Sequence, residues 1–468
     1  MQEITTGAQT DTISLAERWI TGFSDLAWGT PLLVLLLGGG LFFLIYSRML
    51  PFRYFRHSLA ILAGRYDNPD EPGQINHYQA LSTALAATVG MGNISGVALA
   101  IAMGGPGAIF WMWVSALLGV TTKYFTCTLA VLYRGRDSDG ELQGGPMYVI
   151  VEGLGRHWKP LAVFFSLLGM IGVLPIFQVN QLTQIVRDVV LVPYGVHAGF
   201  ATNLTSGIVV AVVVGIVIFG GIRRIGKVTG RMVPLMVALY VLSVLFILFS
   251  NTDRILPSFA LIFNDAFSAN AVLGGSLGAL VITGVRRAAF SNEAGIGTAP
   301  MAHGAAKTNE PVREGLVAML GPIVDTILVC TMTALALIIT GVWNAEGLDG
   351  ISLTAEGFEQ AIPGVGALLL TLCVTIFALS TMLSFPYYGT KCFSFIFGTR
   401  YSHLYKWFYI LTIPFGATAT LGTVVGIFDG AYALMAFPTM ISALLLAPAV
   451  MRASKDYFKR LRQTNGYK

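Results

Sequence analysis

The chain has 468 residues, 55% of them hydrophobic and only 11% charged, with a mean hydropathy of +0.71. A soluble domain carries about 25% charged residues, so a water-soluble globule is excluded. The net charge of +5 sits in short loops between apolar runs, which argues against a nucleic-acid surface, and Cys127, Cys330, Cys373 and Cys392 show no disulfide or zinc spacing.

A membrane span needs roughly 20 apolar residues, and eleven stretches qualify: about 31–47, 79–103, 106–133, 160–186, 206–222, 232–250, 271–300, 315–341, 363–397, 405–426 and 428–451. The first thirty residues hold no short apolar run with a basic flank and cleavage site, so no removable signal peptide is expected. After the first span, residues 49–62 carry Arg53, Arg56 and His57 among aromatics and read as an interfacial helix. The stretch 144–154 lies on the membrane by the same reasoning.

The second span is interrupted by Thr88-Val89-Gly90-Met91-Gly92-Asn93-Ile94-Ser95-Gly96. Three glycines, an Asn and a Ser are poor helix material. A broken helix in hydrocarbon persists where protein, water or ligand satisfies its freed backbone groups. The start of a half-helix suits an anion such as a carboxylate, and unwound carbonyls suit a hard cation; close helix packing is the other use of such glycines. The seventh span carries a second break, Phe290-Ser291-Asn292-Glu293-Ala294-Gly295-Ile296-Gly297-Thr298-Ala299-Pro300. Interrupted spans in corresponding places of two halves point to a transporter's substrate site.

Charges inside spans are costly and default to functional readings. Glu293 and Arg287 can pair to fix the second break, or Glu293 can serve a ligand, whereas Arg286 and Lys123 read as snorkelling or vestibule residues. Asp325 in the eighth span is a buried carboxylate for structure or proton coupling. In the fourth span Gln178 suits a substrate's ammonium or carboxylate, while Asn180 suits a bond to a neighbouring helix. Ser380 and Thr381 are adjacent hydroxyls, a type that commonly bonds back to its own helix. The acidic segment 347–365 is either a lid or an ordinary connection. No catalytic motif or His cluster is present, so an enzyme is not expected.

Basic loops follow the odd-numbered spans: Arg48, Arg53, Arg56 and Arg65, then Arg134, Arg136, Arg156 and Lys159, then Arg223, Arg224, Lys227 and Arg231, with a tail running from Arg452 to Lys468. Only Arg18, Arg187 and Arg254 fall on the other side. The positive-inside rule then puts the N-terminus outside and the C-terminus in the cytoplasm. Setting the first span aside, spans 2–6 and 7–11 form two five-span units of opposite orientation, each starting with a broken helix. The expected division is 1–78 (N-terminus, first span, interfacial segment), 79–250 (first repeat), 251–270 (outer connection), 271–451 (second repeat) and 452–468 (basic tail).

At these residues the chain resembles the alanine or glycine:cation symporter family of the sodium:alanine type. The resemblance rests on GMGNISGVALAIAMGGPGAIFWMW (90–113), GGPMYVI (144–150), FSNEAGIGTAPMAHGAAKTNEPVREGLVAM (290–319), VDTILVCTMTAL (324–335) and ALSTMLSFPYYGTKC (378–392). It implies an all-α membrane protein with the leucine-transporter-type five-plus-five inverted repeat and one additional N-terminal span. It also implies Na⁺-coupled symport of a small neutral amino acid such as alanine or glycine, with H⁺ coupling or, more remotely, a passive channel as alternatives. The prokaryotic inner membrane is the implied location; the partners are the amino acid and membrane lipid, with no nucleic acid and no obligate protein partner. Carried over by position, the substrate site comprises Gly90, Met91, Gly92, Asn93, Gln178, Phe290, Asn292 and Phe385. A Na⁺ site combines Thr88 and Val89 with Ser380 and Thr381. The family pattern has Thr where Met91 stands, Trp where Phe385 stands and Gly-Asn in place of Leu174-Pro175, so the pocket's shape differs here.

Overall fold

A computed structural model describes residues 15–268, 276–345, 347–348 and 350–465. The first fourteen residues, the expected start of the seventh span at 271–275, and Lys468 lie outside the described residues, as do the side chains of Arg223, Arg224 and Lys227. The protein is all-α. The only sheet among the described residues is a hairpin of β1 (Gly135–Arg136) and β2 (Leu142–Gln143).

The chain enters through α1 (Leu15–Ala27), bends 42° and continues as α2 (Thr30–Tyr46). The interfacial segment is helical, as α3 (Phe55–Leu62), with Arg53 and Arg56 exposed. An Asn76–Gln79 capping box starts α4 (His77–Thr88), which bends 55° into α5 (Gly92–Gly104). Then come α6 (Ala108–Leu132), α7 (Lys159–Gly172), α8 (Ile176–Ile185), α9 (Phe200–Ile218) and α10 (Gly221–Ser250). The connection expected at 251–270 holds a helix, α11 (Thr252–Ala266), turned 100° from the end of α10. The second half runs through α12 (Ser276–Asn292), α13 (Thr298–His303), α14 (Pro311–Thr340), α15 (Gly350–Ala361), α16 (Gly366–Phe397), α17 (Ser402–Thr418), α18 (Leu421–Leu445) and α19 (Ala447–Asn465).

Six of the described helices are long and apolar enough to cross a membrane, or nine if each bent pair is one span. The two other predicted spans correspond to α12, described from Ser276, and to α17, of 17 residues. Three boundaries differ from hydropathy. The break between the last two spans falls at Ala419–Thr420, because Thr420 caps α18 by accepting from Thr423 N at 3.3 Å; the apolar run continues across it and hides the cap. Residues 146–154 are helical, but Pro146–Ile150 are buried, so this stretch packs into the protein instead of lying on the membrane. The acidic segment 347–365 holds α15, whose Ile351, Leu353 and Phe358 are buried. All four cysteines are buried and free.

Candidate functional site

Both predicted breaks are present, and they face each other. Val89 leaves the helix with ψ 95°, and the chain resumes helical geometry as a wide turn from Gly92. In the second break α12 ends at Asn292, and Glu293, Gly295 and Gly297 all take positive φ before α13. A Cβ on Gly297 would stand 2.5 Å from Thr439 Oγ1, so this close approach to α18 requires glycine.

A small cavity lies between the breaks, with room for about one water molecule in this conformation. Of the expected substrate residues, Gly90, Met91, Gly92, Gln178, Phe290 and Phe385 line it. Thr88 and Thr381 line it too, beside Ala87, Glu293, Phe428 and Tyr432. Phe290 meets Phe177 edge-on at 4.9 Å and Phe428 at a tilt at 4.8 Å, and Phe428 lies 4.3 Å from Tyr432; Phe290, Phe428 and Tyr432 wall one side of the cavity.

Asn93 and Asn292 are turned elsewhere. Asn93 accepts from Gly90 N at 2.8 Å and donates to Asp325 Oδ1 at 2.7 Å, so it stitches the first break to α14. Asn292 donates to Thr326 Oγ1 and accepts from Ala294 N, both at 2.9 Å, which fixes the second break. Ser291 and Thr326 donate to the other oxygen of Asp325 at 2.7 and 2.8 Å. Asp325 thus ties the breaks together. Asn180 bonds the carbonyls of Gly416 and Ala419 on the neighbouring helix.

For the cation, Thr381 Oγ1 stands 3.4 Å from the Ala86 carbonyl, and Ser380 Oγ 2.9 Å from that of Phe377. A Cβ on Gly90 would meet Thr381 Oγ1 at 2.5 Å and the Phe377 carbonyl at 3.9 Å. Thr381 Oγ1 from α16 and the Ala86 carbonyl from α4 thus meet beside the first break, while Ser380 bonds back to its own helix and to Met236 Sδ at 3.3 Å. Val89 is buried without lining the cavity, and the Ala86 carbonyl stands two residues before the Thr88 of the sequence assignment. No group of three His, Cys, Asp or Glu able to hold a metal occurs among the described residues.

The Glu293–Arg287 pair expected from proximity does not form. Arg287 bonds Asp429, and its guanidinium sits 5.3 Å from the Phe290 ring centre. Glu293 instead accepts from Thr298 and, at 2.9 Å, from Tyr432. The left-handed turn at Glu293 swings its carboxylate away from the helix that carries Arg287. Arg286 does not snorkel: it bonds Asp429 at 2.7 Å, Asp25 at 2.8 Å and Ser24 at 2.7 Å, which joins α1, α12 and α18. Lys123 is buried at 2% exposure. Asp429 was missed in the sequence, although a carboxylate between Phe428 and Gly430 inside a span is the signal that marks such residues.

On the other side, the strand-like segment before α4 is zipped to the one after α13. Gln74 N and Lys307 N make backbone bonds across it at 2.8 and 2.6 Å, and Ile75 bridges Ala306 in parallel. Arg134 clamps this zip by donating to the carbonyls of Gly304 (2.8 Å), Thr308 (3.1 Å), Pro72 (3.3 Å) and Ala306. Beneath it Glu314 takes His77 on one oxygen and His303 on the other, at 2.5 Å for His303. The six histidines are dispersed in the sequence, so only folding brings this pair to one carboxylate.

Comparison with known proteins gives one consistent result. The sodium:alanine symporter family matches residues 13–467. An uncharacterized transporter of Haemophilus influenzae is 41% identical over 95% of this chain and 97% of its own. The sodium/alanine symporter AgcS of Methanococcus maripaludis is 43% identical over 93% and 95%, respectively. The probable sodium/glutamine symporter GlnT of Bacillus subtilis is 34% identical over 93% and 90%.

Proposed function

The chain belongs to the sodium:alanine symporter family, a family of integral membrane transporters, and from that premise we propose that it moves a small neutral amino acid inward together with Na⁺ by alternating access. The carrying observation is the small cavity between the two facing breaks, with neutral oxygens of Ala86, Phe377, Ser380 and Thr381 beside it. The relatives AgcS and GlnT, named for alanine and glutamine, support a small neutral amino acid such as alanine, glycine or a close relative. Na⁺ at the oxygen cluster braces α4 against α16 and so favours the substrate-ready form of the first break. The substrate carboxylate faces the start of α5, where the first N–H groups of a helix lack intrahelical partners.

The architecture proposed with this function is eleven spans: one added N-terminal span and two five-span repeats, 79–250 and 271–451, inverted about the membrane midplane. The N-terminus faces outward and the C-terminus the cytoplasm, in the inner membrane of a prokaryote. In this orientation the Arg134 zip closes the cytoplasmic path, and Arg286, Arg287 and Asp429 lie toward the outside. The second reading is H⁺ coupling, favoured by the fully buried Asp325 and Glu293 beside the cavity.

Uptake of radiolabelled glycine, alanine, serine and glutamine into proteoliposomes separates these readings, with an inward Na⁺ gradient and, separately, a pH gradient. Accumulation above equilibrium that requires Na⁺ is the expected outcome. Equal uptake without Na⁺ but driven by the pH gradient assigns coupling to H⁺, and equilibration without accumulation identifies a passive path.

A further inference from the structure

Resting on the orientation just proposed, we infer that α19 and the segment around α3 form a cytoplasmic binding surface for the headgroups of anionic phospholipid. In α19, Arg452, Lys455, Lys459 and Arg462 recur at spacings of three, four and three, which puts them in one stripe of the helix. All four are exposed, while Ser454, Tyr457 and Phe458 on the opposite face are buried. The stripe runs into a second set of cations. Arg462 Nη2 donates to the Tyr54 hydroxyl at 3.4 Å, and Tyr54 stacks on Phe458 at 3.7 Å. Arg53 and Arg56 flank that tyrosine, and both are exposed. None of these six cations joins an ion pair among the described residues, whereas Arg460 at the edge of the stripe is held by Glu310 at 2.8 Å. Asp456, exposed beside the stripe, offsets one of the six charges.

Charge alone would suit any polyanion. A lipid is selected by the apolar rim beside it, where Ile45, Tyr46 and Met49 at the end of α2 and Leu59 in α3 are all exposed. Such side chains belong at the boundary of headgroups and acyl chains, and a soluble anion offers them nothing. Rim and cations meet at Arg48 and Met49, two consecutive non-glycine residues with φ of +53° and +57°. This backbone is costly for both. It sets an exposed Arg beside an exposed Met, one suited to the headgroup layer and the other to the tails. Clusters of about four to eight Lys and Arg on an amphipathic helix attract anionic lipid in this way. Headgroup phosphates along the stripe cancel the repulsion among its cations and so hold α19 on α3.

The test places the full chain in vesicles of phosphatidylcholine alone or of an equal mixture with phosphatidylglycerol, and follows hydrogen exchange across residues 447–465. The mixture is expected to raise protection there at least threefold, with no change across 200–218 in α9, and raised salt should remove the gain. Arg452→Gln, Lys455→Gln, Lys459→Gln and Arg462→Gln together should abolish it. Arg65→Gln, Arg156→Gln, Lys159→Gln and Arg400→Gln together, at exposed cations of the same proposed side, should leave it intact. Equal loss in both variants would show a response to net charge alone, which overturns the inference. Equal protection from inorganic phosphate over phosphatidylcholine would assign the stripe to a soluble anion and overturn it as well. If the first variant does not yield a monodisperse protein, Arg53→Gln with Arg56→Gln decides by the same comparison. No readout here involves transport, so failure of the lipid surface and failure of the symport reading are told apart.

Discussion

Gly90 is where one missing carbon makes room for the proposed cation site. A Cβ there would lie 2.5 Å from Thr381 Oγ1, inside any allowed contact, so Gly90→Ala must turn that hydroxyl from its place beside the Ala86 carbonyl. Apparent Na⁺ affinity in uptake assays should fall at least tenfold, which corresponds to about 1.4 kcal/mol. Gly278 is the matched control: it lies in α12 with nothing within 4 Å of an added Cβ. Gly278→Ala should leave uptake unchanged and slightly favour the helix. Phe385 sets the cavity's size from α16. Phe385→Trp overfills the site, and overpacking costs about 1–3 kcal/mol. Glutamine should therefore lose at least tenfold in KM, while alanine and glycine change by less than about threefold; equal losses for all three would contradict a size filter. Most of the lining was legible from Gly90, Met91, Gly92, Gln178, Phe290 and Phe385. Phe428 and Tyr432 were not, because aromatics on a fully apolar span look the same whether they face a cavity, a neighbour or lipid.

Individual helices act here through their ends. In the proposed orientation the zip between the segments flanking α4 and α13 opens for substrate to leave toward the cytoplasm, and Arg134 holds four of its carbonyls. Burial pushes the Arg134 guanidinium down to about 10, so it remains cationic and the clamp charged at neutral pH. Each hydrogen bond to a charged group is worth about 1.5–3 kcal/mol. Arg134→Ala should therefore lower hydrogen-exchange protection of residues 72–77 at least tenfold and raise efflux relative to uptake; unchanged protection would mean the backbone bonds suffice. The C-terminal helix α19 is fastened to α3 in a second way. Tyr54 stacks on Phe458 at 3.7 Å, and the Tyr457 hydroxyl meets His57 Nε2 at 2.7 Å. Burial, and after it the Arg313 guanidinium, hold His57 below its ordinary 6.5. A depressed histidine binds its proton more weakly when docked, so this contact contributes fully above 6.5 and loses strength as pH falls below it. Hydrogen-exchange protection across residues 447–465, corrected for the intrinsic rate at each pH, should therefore fall between pH 7.5 and 5.5, and His57→Phe should remove that dependence.

For the molecule as a whole, orientation is the prediction with the widest consequence. Reporter fusions after Lys468 should be active only in the cytoplasm, and a tag before Leu15 should be reachable from outside. The reverse result would exchange the roles of the Arg134 zip and the Arg286–Arg287–Asp429 network.

The sequence alone determined that this chain lives in a membrane as helices, because hydropathy acts over every 20-residue window and needs no partner. It also determined where two spans break to within a few residues: the chain leaves the helix at 89–90 and at 293–297, while Gly92–Gly96 and residues 291–292 stay helical. Tertiary structure decided which charges meet: Arg287 with Asp429 and not Glu293, Asn93 with Asp325, and His77 and His303 with Glu314. Those choices depend on where helices hundreds of residues apart place their side chains, and on one left-handed turn at Glu293. Neither leaves a trace in local periodicity.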